Sequence, residues 1–114
     1  MWPGPERALS VRLIGPYVAL GTCRRGDGTD EHNPVLYDED VFVAEEHATH
    51  WLSEDPAAVA SRSWDAACPR IATTAWLSPR HGGPPIGFLS THFDHVGVEA
   101  RRQSALVLAR LKDE

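Results

Sequence analysis

The spacing of apolar positions changes along this chain, and each change marks an element. Residues 1–8 are crowded with Pro and Gly and read as irregular. Residues 11–14 (Val-Arg-Leu-Ile) predict a short strand or the tail of a helix, stopped by Gly15 and Pro16. Residues 17–22 predict a strand, 26–30 a Gly/Asp-rich loop, and 35–37 another short strand. After the turn at Asp38, Glu39 and Asp40, residues 41–49 resume as strand, with Val41 and Val43 alternating against Phe42. Asp55 and Pro56 are suited to cap and open a short helix through Ala60. Residues 98–111 carry the period of a helix, with Glu99 in the first turn and Lys112 just past the end, as the helix dipole favours. Its expected buried stripe is Val98, Ala105, Leu108 and Ala109, leaving Arg101, Arg102 and Arg110 facing out.

The clearest pattern lies just before that helix. Residues 71–77 are rich in β-formers, 78–85 (Ser-Pro-Arg-His-Gly-Gly-Pro-Pro) form a loop, and 86–92 read as the next strand. The two runs predict an antiparallel hairpin. With the loop centred near His81 and Gly82, Ile71 pairs with His92, and Arg70 lies beside His92 at the open end. Phe88, Ser90, His92 and, if the strand extends, Asp94 share a face, so Asp94 is placed to bond His92 or orient a neighbouring group. An imidazole at a strand end can donate a proton, accept one or bind a metal. The bland alternatives are a surface histidine, an Arg70 ion pair and an Asp94 that only caps the turn. His95 is expected to be an exposed loop residue, and Trp51, Trp64 and Trp76 to be packing groups.

Composition narrows the class. The 114 residues suffice for one small domain, and 42% hydrophobic residues allow a modest core. Sixteen acidic residues against eleven basic ones give a net charge of −5, which argues against gripping nucleic acid through general positive charge. A polyanionic substrate held locally stays open. Ten of the eleven basic residues are Arg. Cys23 and Cys68 fit no metal-ligand spacing and read as reduced thiols of a cytoplasmic protein. No run approaches membrane-spanning length, and no hydrophobic signal core opens the chain.

Several segments in order carry a family resemblance. They are Gly-Asp-Gly-Thr-Asp-Glu-His-Asn-Pro-Val-Leu-Tyr (26–37), Trp-Leu-Ser-Glu (51–54), Ser-Trp-Asp (63–65), Cys-Pro-Arg-Ile-Ala-Thr (68–73), Ser-Thr-His-Phe-Asp-His (90–95) and Glu-Ala-Arg-Arg-Gln-Ser-Ala (99–105). Together they resemble the endonuclease/exonuclease/phosphatase (deoxyribonuclease-like) superfamily, in its bacterial and archaeal metal-dependent hydrolase branch, from about Tyr17 onward. The resemblance implies an α/β (α+β) fold: a partial two-sheet β-sandwich of mostly antiparallel strands flanked by helices, with a C-terminal helix at 98–111. It implies hydrolysis of phosphate esters with Mg²⁺ and an activated water. His92 matches the histidine that contacts the scissile phosphate. Arg70 matches an arginine that holds the substrate phosphate, a task suited to a planar fork of donors. Glu31 matches a family acid near the site, although it also reads as part of a solvated acidic loop. Implied substrates are nucleic acids or small phosphodiesters.

The departures matter as much. The family's first-strand Asn, metal-binding Glu, Gly-Asp-x-Asn and terminal Ser-Asp-His motifs are not found; Gly26-Asp27 is followed by Gly28-Thr29. The expectation is one incomplete domain over 1–114, the central part, with the metal ligands and the water-activating Asp outside this chain and weak activity at best. A non-catalytic remnant, or a partner for a complementary fragment or second copy through exposed sheet edges, is the alternative. A zinc hydrolase of metallo-β-lactamase type ranks lower, because Thr-His-Phe-Asp-His-Val-Gly (91–97) lacks one His-x pair of that signature.

Overall fold

In the computed structural model, residues 10–27 and 29–112 are described, so the irregular start expected over 1–8 lies outside them. The described residues form two three-stranded antiparallel sheets and one helix. The first sheet holds β1 (Ser10–Arg12), β2 (Tyr17–Leu20) and β3 (Val35–Asp38) in chain order. The second holds β4 (Phe42–Trp51), β5 (Ile71–Pro79) and β6 (Ile86–Thr91), also in chain order, followed by α1 (Val98–Lys112). This is the α+β architecture of mostly antiparallel strands that the resemblance implies. Val11 and Arg12 resolve as strand, not helix tail, whereas residues 13–14 fall in the bend that follows. α1 runs through Lys112 instead of stopping before it.

β5 organises the core. Its side chains alternate between two faces, and both are covered. Ala75 and Leu77 pack with Val18, Leu20 and Val35 of the first sheet. Ala72 packs on the opposite face with Leu52, Val107 and Leu111, joining α1 to the sheet. A strand buried on both sides reads as a nearly continuous run of β-formers, which is why 71–77 stood out. β6 is the sheet's edge, and its Ile86, Phe88 and Leu89 are exposed.

Two local expectations fail for physical reasons. Residues 56–60 form turns and not a helix. Asp55 does cap, its Oδ1 and carbonyl accepting the N–H groups of Ala57 and Ala58 at 3.3 and 3.0 Å. One turn is too short to repay helix nucleation. The segment is instead pinned by a Ser53–Ser61 hydroxyl contact of 2.6 Å and closed by Ala60 at φ 62°.

The buried stripe of α1 is Ala100, Ser104, Val107 and Leu111, spaced by four, three and four. Val98 is 67% exposed, Ala105 and Ala109 face solvent, and Leu108 is half-buried. The helix is rotated because Asp65, from a distant loop, accepts the N–H groups of Glu99 and Ala100 at 3.3 and 2.7 Å. Gly97 permits that approach: a Cβ there would lie 2.5 Å from Asp65 Oδ1 and 2.6 Å from its carbonyl oxygen. Arg101, expected to face out, turns back so that its Nη1 donates to the Asp94 carbonyl at 3.1 Å. Among the described residues no helix is long and apolar enough to cross a membrane.

Candidate functional site

The β5–β6 register runs from Ala72↔Thr91 to Leu77↔Ile86. Continued by one step, it sets Ile71 opposite His92, as the loop centre predicts. Arg70 and His92 therefore emerge together at the open end of the hairpin, with the Arg70 Nη1 3.1 Å from His92 Nδ1. Arg70 is only 6% exposed, while the His92 ring reaches solvent.

Three further groups meet the same guanidinium. Its Nε donates to Asp94 Oδ1 at 3.4 Å, and its Nη2 lies 2.9 Å from His95 Nδ1. Glu31 Oε1 stands 4.0 Å from Nη1 on a half-exposed side chain. A guanidinium has donors and no acceptor. Both imidazoles must therefore accept through Nδ1, which leaves the ring hydrogen of each on Nε2. The arginine thus selects the tautomer of two histidines at once.

Asp94 holds this corner closed. It is 1% exposed and sits in the turn after β6, not on an extension of the strand. It does not bond His92 directly; it reaches that ring through Arg70. Its Oδ1 also accepts the Ala67 N–H at 2.9 Å, and its Oδ2 accepts those of Val96 and Gly97 at 3.0 and 2.7 Å. Burial pushes the carboxyl up, but the N–H groups of Gly97, Val96 and Ala67 and the Arg70 bond outweigh it and hold it well below the usual carboxylate range. Asp94 both caps the turn and anchors the cation.

The loop carrying Glu31 is tied to the same corner. Arg24 donates twice to Asp30 at 3.0 Å, and its Nη1 reaches Cys68 Sγ at 3.2 Å, two residues before Arg70. The Arg24 side chain and the Glu31 N–H hold the Asp30 carboxyl well below its ordinary value.

All four residues singled out from the sequence converge here: His92, Arg70, Asp94 and, at the rim, Glu31. His95 was missed. Its signal was its place three residues after His92, across a turn that Asp94 closes. Mg²⁺ does not fit these groups: among the described residues no three His, Cys, Asp or Glu side chains gather to hold a metal ion. His92, Asp94 and His95 meet around a cation of the chain's own. That arrangement also supplies no ligand set of the zinc-hydrolase kind.

Two neutral N–H donors, exposed beside a buried positive charge, suit an anion. No protein-family model and no curated protein sequence matches the chain. Solved structures do. An endonuclease/exonuclease/phosphatase from Bacteroides vulgatus is 41% identical, with a TM-score of 0.82 over 86% of this chain and 38% of its own length. An endonuclease/exonuclease/phosphatase family protein from Bacteroides thetaiotaomicron is 34% identical, with a TM-score of 0.80 over 88% of this chain and 36% of its own. A mannosyl-6-phosphatase from Bacteroides thetaiotaomicron is also 34% identical, with a TM-score of 0.81 over 88% of this chain and 38% of its own. The chain spans well under half the length of these relatives. Identity and superposition agree over most of its residues, and on that ground the chain belongs to the endonuclease/exonuclease/phosphatase superfamily.

Proposed function

We propose that this chain provides the phosphate-holding part of a phosphate-ester hydrolase. The observation that carries the reading is the Arg70 guanidinium held between His92 Nδ1 and Asp94 Oδ1 at 3.1 and 3.4 Å. In this reading His92 is the residue that touches substrate. Its Nε2–H donates to a phosphate oxygen and stabilises the charge that grows there in the transition state. Arg70 was expected to clamp the phosphate directly. Its burial and its inward partners favour a positioning part instead: it fixes the tautomer and orientation of the imidazole and adds positive potential behind it. Asp94 keeps the guanidinium in place, and Glu31 borders the entrance. None of these groups is assigned the activation of water. Mg²⁺, which family resemblance implies, enters no step here, because the described residues assemble no set of ligands for it.

The substrate class we favour is a small phosphate monoester. One relative is by name a mannosyl-6-phosphatase, and a chain of net charge −5 is poorly suited to grip a long polyanion. The test is hydrolysis of p-nitrophenyl phosphate and of bis-p-nitrophenyl phosphate with Mg²⁺ supplied. The expected result is faster turnover of the monoester and a fall of roughly 10²–10³-fold in His92→Ala, the range of a lost donor to a developing charge. Turnover indifferent to His92→Ala overturns the assignment.

A second reading rests on β6. Among the described residues its backbone is paired on one side only, and Ile86, Phe88 and Leu89 are exposed along it. We infer that this edge takes a strand from a complementary fragment, which would make the chain a split-domain partner with no activity of its own. No turnover by the isolated chain, with activity restored by adding the complementary part of a relative, would support it. A stable dimer in light scattering would favour a second copy as the occupant.

A further inference from the structure

We propose that His95 is a second phosphate-contacting residue, paired with His92 on the shared guanidinium so that one phosphate group receives an Nε2–H from each ring. The inference rests on the phosphate-holding reading of His92 and extends it to a residue that the sequence pattern does not single out.

The two histidines stand in the same relation to Arg70. His92 Nδ1 meets Nη1 at 3.1 Å, and His95 Nδ1 meets Nη2 at 2.9 Å. Both rings are exposed, whereas the arginine between them is buried. A surface imidazole ordinarily turns freely and presents either nitrogen to water. Here Nδ1 of each is engaged as an acceptor, so each ring is ordered with its hydrogen on Nε2. Among the described residues, neither Nε2 makes a hydrogen bond. Nη1 and Nη2 are the two prongs of one planar fork, so both rings are held by a single group. The guanidinium charge polarises both through the Nδ1 contacts, which strengthens each Nε2–H as a donor.

The chain also places His95 at some cost in backbone freedom. Asp94 accepts three main-chain N–H groups, those of Ala67, Val96 and Gly97, and so closes the turn on which His95 rides. Arg101 holds the Asp94 carbonyl from α1 at 3.1 Å. The turn is fixed from the core outward, and its one outward ring is the one bound to the second prong. A phosphate ester presents at least two non-bridging oxygens on one phosphorus. Two neutral donors held on one guanidinium, backed by a cation that stays buried, suit that pair of oxygens. They spare the site the desolvation of a charged lysine or arginine at its surface.

The experiment is a titration of the chain with inorganic phosphate, followed by nitrogen–proton correlation spectra of the imidazole rings. The expected result is that the Nε2 signals of His92 and His95 both move, with one dissociation constant. Movement of His92 alone overturns the inference and leaves the proposed function standing. Movement of neither ring, up to the solubility limit of phosphate, overturns both. A variant separates contact from support: His95→Asn keeps an oxygen where Nδ1 meets Arg70 but removes the outward donor. Phosphate binding is expected to weaken roughly tenfold to a hundredfold, the range of a lost hydrogen bond to a charged group, while the His92 ring signals of the ligand-free chain stay in place. Unchanged affinity in His95→Asn shows that His95 only props the arginine, and that too overturns the inference.

Discussion

β5 and β6 are hydrogen-bonded neighbours in one sheet, yet they live in opposite surroundings. Every residue of β5 from Ile71 to Leu77 is buried except Trp76, which is half-buried. β6 is exposed over most of its length, with Phe88 at 44%. Both strands are rich in β-formers, so propensity does not separate them. What separates them is cover: the first sheet and α1 enclose β5 from both faces, and among the described residues no strand pairs with the free edge of β6. The site uses this contrast. Arg70, at the head of the covered strand, stays in the interior; His92, just past the end of the bare strand, reaches solvent. A buried cation can then organise groups that meet a ligand without meeting it itself.

The contrast can be broken most sharply at its buried arm. Arg70→Ala would leave the Asp94 carboxylate buried without its counter-ion and both imidazoles unheld. The expected loss is about 3–5 kcal/mol in urea unfolding. A loss under about 1 kcal/mol, the scale of a surface pair, would mean that the main-chain N–H groups alone satisfy Asp94.

The cover over β5 is tested next. Asp65→Ala removes the acceptor for the first N–H groups of α1 and is expected to cost about 0.5–2 kcal/mol. Hydrogen exchange should quicken in the first turn of α1 before it does in β5. Equal quickening throughout would show that helix and sheet open as one unit.

Acid sharpens the same point. Burial lowers the proton affinity of His50, whose Nε2 meets Thr74 Oγ1 at 3.2 Å on the covered strand, and burial does the same to His47. For a histidine whose folded value lies below its unfolded one, the unfolded chain binds the proton first. Stability is therefore full above about pH 6.5 and declines as the pH falls below it. Asp94 adds a second loss at lower pH. Its depressed folded value means that its contribution is present above about pH 3.9 and fades as the pH drops through the folded value. Thermal unfolding between about pH 8 and about pH 5 should show the first decline, flattened in His50→Asn. An identical decline in that variant would assign the effect to other groups.

The smallest effect is expected on the bare strand. Phe88→Thr and Leu89→Thr should each change stability by no more than about 0.5 kcal/mol in the isolated chain, since each gives up little burial. A loss several times larger would reveal that the edge is covered in solution, and light scattering would then tell a second copy from a monomer.

The hairpin register was legible because two runs of β-formers flank a loop of Gly and Pro, and antiparallel pairing about a known centre leaves one alignment. That alignment alone brought Arg70 and His92 together. His95 was hidden because a turn has no period to read: its ring direction is set by where the Asp94 carboxylate finds N–H groups. The helix stripe was misplaced for a related reason. Apolarity ranked Val98 and Ala105 above Ser104, but the rotation of α1 is fixed by Asp65, some thirty residues upstream, and by the lack of room for a side chain at Gly97. The abortive helix at 56–60 had a sound cap, and its length defeated it.

Local order was therefore written in the chain: which stretches are strands, where they turn, which basic group stands opposite which imidazole. These follow from short-range sterics and from the period of the side chains, and both travel with the sequence. The folded molecule alone decided which faces are covered, how the helix is turned, and that Arg70 looks inward to Asp94, His92 and His95. Those outcomes depend on hydrogen bonds and packing between segments far apart in the chain, where the competition among possible partners is settled by the space each is left.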